Sequence, residues 1–163
     1  MTNARARKPR ILKGDVIEVQ LSGGRVAYVQ NIGVHRLLRV VRFLPGVFEK
    51  RLDDSRLEAL VAGRSLYRSN SIIDLLLIDG SARVIKRLPV PSDEDSVPTM
   101  VTGAWSEDPM EWWVTESDGT EMKAHEYLRA HPGIRLQDLP KYNDLPDEET
   151  LRKRIETGWT PNN

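Results

Sequence analysis

Three histidines, His35, His125 and His131, are the side chains of this sequence best suited to moving protons near neutral pH or to holding a transition metal. Their spacing supports neither chemistry. His125 and His131 stand six apart across the end of an expected helix, which is not a metal-ligand spacing, so they read as surface or helix-terminal histidines and no metal is expected. A hydrolytic triad needs a nucleophile, a base and an orienting acid. The chain has no cysteine and no serine in a glycine-flanked elbow, so no catalytic residue is expected. Gly23-Gly24 lacks the surroundings of a phosphate-cradling loop and reads as a hairpin turn. The expectation is a protein that binds without turning over a substrate and without a cofactor.

Binding chemistry is better represented. Arg36, Arg39 and Arg42 recur every three residues, and with Arg5, Arg7, Lys8 and Arg10 they offer a stripe able to neutralise phosphates. A spacing of three on a strand alternates faces, which argues against a single stripe. Trp112 and Trp113 place one indole on each face of a strand, one for the core and one for a rim or interface. Asp93, Glu94 and Asp95 lie in a proline-bounded loop, 89–98, and Glu107, Asp108 and Glu111 precede or join the tryptophan strand. These six acids with Trp112 and Trp113 form the candidate partner-binding surface, complementary to a basic protein. The alternative is a solvated acidic loop beside a core tryptophan.

The net charge of zero conceals an asymmetry: residues 1–91 carry 17 Lys and Arg against 8 Asp and Glu, and residues 92–163 carry 7 against 16. Either the molecule is dipolar, or opposite charges meet on one mixed surface. With 163 residues and 39% hydrophobic content, one ordinary core is expected, over 12–158, with 1–11 a flexible basic tail and 159–163 a second tail. No apolar run of signal-peptide length follows the basic N-terminus, and the Ile72–Ile78 run is too short to cross a bilayer, so a cytoplasmic protein is expected.

The elements that must position these side chains are mostly strands. Ile17, Val19 and Leu21 alternate with Glu18 and Gln20, Gly23-Gly24 turns, and Val26 and Tyr28 answer on a second strand. Leu37–Leu44 is apolar on both faces and reads as an interior strand closed by Pro45-Gly46. Asp53, Asp54 and Ser55 open a short helix that Gly63 stops. Ile72–Ile78 and Arg83–Leu88 read as a second hairpin around Asp79-Gly80. Beyond the acidic loop come a strand through Trp112 and Trp113, a turn at Asp118-Gly119, a short helix over 123–130 and a terminal helix over 147–158. The expected core includes Ile17, Val19, Leu21, Val26, Tyr28, Val40, Ile73, Leu75, Leu77 and Val84. The expected fold class is mainly β (α+β): a curved antiparallel sheet or SH3-like barrel with short peripheral helices.

The opening KGDVIEVQLSGGRVAYVQNI resembles the immunity protein 26 family of bacterial polymorphic toxin systems, through Gly14, Asp15, Val16, Leu21, Gly24 and Tyr28. EWWVTESDG is similar to that family's tryptophan-rich strand and polar turn, and LRKRI to its C-terminal Arg-Ile. The family's proline before the first strand-ending leucine is Gln20 here, and its Asp-Gly turn is Gly23-Gly24. The resemblance spans most of 12–158 and implies stoichiometric neutralisation of a cognate protein toxin. The competing expectation is an SH3-like, nucleic-acid-associated module using the basic N-terminal half.

Overall fold

The computed structural model describes residues 10–35, 38–102, 106–141 and 145–160. Arg5, Arg7, Lys8, Arg36 and Leu37, which entered the expectations above, lie outside them. The alternating opening builds β1 (Asp15–Gln20), and Gly23 and Gly24, at φ 69° and 78°, turn the chain into β2 (Val26–His35), with Gln20 opposite Val26. The doubly apolar β3 (Leu38–Phe43) lies inside the sheet, between β2 and β4 (Tyr67–Ser71). On the far side β5 (Ala82–Arg87) pairs with β1, giving the antiparallel order β4-β3-β2-β1-β5. Its two ends are different strands that do not meet among the described residues. Of the two expected architectures, the open sheet is present and the closed barrel is not.

Both faces of this sheet are covered. Helix α1 (Asp54–Ala62) starts where the Asp53 carboxylate accepts a bond from Arg56 N at 2.9 Å and stops at Gly63, as the capping residues dictate. It lays Leu57 and Val61 on Val16, Val26, Tyr28 and Leu44. The other face, with Ile17, Val19, Ala27, Val29, Val41 and Phe43, is covered by α2 (Ile73–Ile78) and α4 (Glu148–Thr157) through Ile73, Leu76 and Leu151. Helix α4 is capped by Asp147, which accepts from Thr150 N at 2.7 Å, and ends at Gly158 in the left-handed region. Glu156 accepts two bonds from Ser22, at 2.9 and 2.6 Å, and Arg152 lies 3.7 Å from Asp79, so the helix is tied at its middle and near its C-terminal end. Trp159, expected in a tail, packs edge-on against Tyr67 with ring centroids 5.6 Å apart. Ile11 is likewise part of the core rather than of a tail.

The second sheet is smaller: β6 (Met100–Thr102), β7 (Trp113–Thr115) and β8 (Glu121–Lys123), in that order. Helix α3 (Ala124–Ala130) packs Ala124 and Tyr127 onto its Val101 and Val114. Met100 joins the two sheets by packing with Ile32 and Val40, and Val90 and Val97 of the acidic loop close over that contact.

The expected hairpin around Asp79-Gly80 is corrected. Residues 73–78 are helical, and Asp79 and Gly80 end that helix instead of joining two strands. A continuous apolar run satisfies helix and strand periodicity equally. Here Ile73 and Leu76 point inward at helical spacing, while Leu75 and Ile78 are 48% and 55% exposed. Val84, paired with Ile17 on the edge strand, is 40% exposed. Leu75 and Val84 therefore leave the expected core, Leu77 is partly buried against it, and the other seven residues are buried.

Ile17→Ala or Leu151→Ala should cost about 2–4 kcal/mol, because each leaves a cavity in a fully covered layer. Leu75→Ala should cost well under about 1 kcal/mol. Urea titration distinguishes the two: a large loss at Leu75 would contradict the helical placement of residues 73–78.

Candidate interaction surface

The six acids of the candidate surface separate into two groups with different roles. In the loop, Glu94 is only 8% exposed and its carboxylate faces inward. It accepts from Ser65 N at 3.1 Å and Ser65 Oγ at 2.6 Å, and its Oε2 lies 3.8 Å from Arg68 Nε and 4.0 Å from Arg42 Nε. Burial pushes the Glu94 carboxyl up, but the Ser65 hydrogen bonds and the charges of Arg42 and Arg68 outweigh it and hold it below the usual range. Glu94 is thus a latch holding the loop to the first sheet, and the expectation that it belongs to an exposed acidic surface is corrected. Asp95 pairs with Lys13 at 2.5 Å, and Asp93 is exposed.

The basic half is likewise turned inward. Arg42 has no exposed surface: it donates to Gly63 O at 2.5 Å and to Gln30 Oε1 at 3.3 Å. Arg39 makes a two-pronged pair with Asp74, at 3.1 and 3.2 Å. Arg51 and Arg83 both clasp the buried Glu18, at 2.7 and 2.6 Å. Burial raises the Glu18 carboxyl, and hydrogen bonds and charge from Arg51 and Arg83 reverse that and hold it low. Arg39 and Arg42 therefore do not present a phosphate-binding stripe. Charges of the two sequence halves also meet, as Lys13–Asp95, Arg68–Glu94 and Arg25–Glu156.

The second group stays on the surface. Asp108 accepts from Met110 N at 2.9 Å and so starts a tight turn over Pro109–Glu111, where the sequence suggested continuous strand. That turn leaves Met110 46% exposed and Trp113, the first residue of β7, 41% exposed. Glu107, Asp108 and Glu111 are exposed beside them. Lys123 Nζ sits 4.4 Å from the centre of the Trp113 ring, so a cation already occupies part of it. Trp112 turns the opposite way and donates its indole N–H to Ser106 O at 2.7 Å. One indole outward and one inward matches the expectation from alternation, although the turn, not a longer strand, sets the direction.

Trp112 faces a cleft of about 520 Å³ walled by β3, β4, residues 137–141 and α4, which sequence alone does not reveal because these segments are distant from one another. Phe43 and Tyr67 stack at its floor, 4.3 Å apart. His131 stacks on Tyr127 at 4.3 Å, and no group of three or more His, Asp or Glu able to hold a metal occurs among the described residues.

The residues that carry the family resemblance are builders of the fold. Gly14 has φ 87°, and a Cβ there would lie 2.6 Å from Leu88 O. Asp15, 3% exposed, accepts from Leu12 N and from Arg87 Nε, both at 2.7 Å. Tyr28 accepts from Leu52 N at 2.9 Å through its hydroxyl. No protein-family model, curated protein or solved structure matches the chain.

Glu94→Gln should lower stability at neutral pH by about 1–3 kcal/mol, the range for an unbalanced buried polar group. A carboxyl held low in the folded state contributes above its unfolded pKa and loses that contribution as pH falls through the folded value. The advantage of wild type over Glu94→Gln should therefore be full near neutrality and shrink as pH drops below the ordinary 4.5. Paired urea titrations across that range check it; a pH-independent difference would contradict the latch.

Proposed function

We propose that this protein is an immunity protein that binds and neutralises a cognate protein toxin in the cytoplasm, acting by stoichiometric contact and not by turnover. The single observation that carries the proposal is the Met110–Trp113 patch. It consists of two large apolar side chains, each more than two-fifths exposed, three residues apart and fringed by Glu107, Asp108 and Glu111. Aromatic and methionine side chains with a charged rim are what protein interfaces select, and a carboxylate fringe draws a basic partner in. The resemblance of residues 12–158 to the immunity protein 26 family supports the same reading. The patch sits on a turn and a short strand of the second sheet, so its side chains can vary without disturbing the core of the first.

The test is co-expression with the product of the adjacent reading frame. That product alone should arrest growth, and this protein should restore it and form a stoichiometric complex. Trp113→Ala should weaken the complex about 30-fold or more, as for an aromatic anchor, with the melting temperature unchanged. Replacing Glu107, Asp108 and Glu111 by amides should slow association and flatten its dependence on salt. No rescue of growth, or a complex indifferent to Trp113→Ala, would overturn the proposal.

A further inference from the structure

The cleft beside Trp112 is chemically distinct from the Met110–Trp113 patch. Four aromatic rings, Phe43, Tyr67, Trp112 and Trp159, line it, and a cation stands at each indole: Lys141 Nζ 5.3 Å from the Trp112 ring centre and Arg154 4.1 Å from that of Trp159. No carboxylate is among the described residues that line it. The cations and both indoles come from residues 92–163, where acids outnumber bases 16 to 7, so this lining runs against the composition of the segment that supplies it. Ser69, Asn70 and Gln137 add hydroxyl and amide groups, able to donate and accept hydrogen bonds.

Each component has a counterpart in one kind of ligand. Ring faces take a planar heterocycle, amides and hydroxyls read the donors and acceptors on its edge, and the exposed cation Lys141 is placed to neutralise a phosphate. The volume of about 520 Å³ falls in the range of clefts that hold small ligands and leaves room for a single such unit. We infer that the cleft binds a nucleoside monophosphate, either free or as the end of a single strand. This goes beyond the toxin-binding proposal and does not depend on it, since Trp113 lies outside the lining.

The experiment is isothermal titration of the full chain with AMP, GMP, CMP and UMP, with adenosine, inorganic phosphate, a tetraglutamate peptide and a short oligothymidylate as comparison probes. At least one nucleotide should bind with a Kd of about 10–500 μM, and its nucleoside or phosphate alone at least about tenfold more weakly. Lys141→Glu, at an exposed position that leaves the core untouched, should weaken nucleotide binding about tenfold or more, while Trp113→Ala leaves it unchanged. Oligothymidylate binding much more tightly than UMP would support the cleft and identify its source as a single strand. Absence of binding by every nucleotide and by the oligomer at about 5 mM would overturn the inference. So would tetraglutamate binding as well as the nucleotides, or binding that Lys141→Glu leaves intact. Growth rescue by a variant carrying Lys141→Glu separates failure here from failure of the toxin-binding proposal.

Discussion

A guanidinium with no access to water must be answered by the protein around it, and the first sheet is organised by the answer to Arg42. Burial pushes this arginine down, against the opposing charges of Glu94 and Asp93. Its two terminal nitrogens donate to Gly63 O at the end of α1 and to Gln30 on the neighbouring strand, while its Nε, without a hydrogen bond among the described residues, has Glu94 of the loop 4.0 Å away as counter-charge. Gln30 in turn donates to Gly14 O and Leu88 O, so the same network reaches the start of β1 and the end of β5. Helix, loop and three strands converge on one charge. Removing a partner leaves that charge uncompensated, which is more damaging than never burying it.

Glu18, on β1 and one strand in from the other edge of the sheet, repeats the arrangement with the signs reversed. A fully buried carboxylate is held by two arginines whose own side chains reach solvent, Arg51 at 47% and Arg83 at 58% exposure. Because Arg83 belongs to the edge strand β5, the pair also fixes where that strand lies against β1. The cations of β5 serve a second purpose: a charged edge discourages pairing with a further strand. Much of the basic excess of the N-terminal half is thus committed to holding the sheet together.

The sequence was most legible where the determining contacts are local. The β1–β2 turn and helices α1, α3 and α4 were readable from glycines and capping residues within a few positions of each element. Strand β4, with the polar text YRSNS, gave no strand signal, because its order comes from pairing with β3. The helix at 73–78 reads as a strand because its periodicity is degenerate. Glu94 reads as exposed for a related reason: its partners Arg42, Ser65 and Arg68 are distant in sequence, and an isolated Asp-Glu-Asp run looks the same solvated or latched. The exposure of Glu107, Asp108, Glu111 and Trp113 is legible from their types and from strand alternation, whereas the inward cleft, assembled from β3, β4, residues 137–141 and α4 around Trp112, is not readable at all.

Helix α4 also sets a schedule. All five strands of the first sheet are present once residue 87 has been made, yet Leu151, which is 1% exposed and completes the layer over Ile17, Val29 and Phe43, lies 64 residues further on. During synthesis, at about 5–20 residues per second, the sheet waits roughly 3–13 seconds with one apolar face only partly covered by α2. An emerging chain in that state exposes apolar surface of the kind that drives aggregation. Its first core cannot close until α4 has been made, so that closure follows the synthesis of the second sheet, whose strands all precede α4.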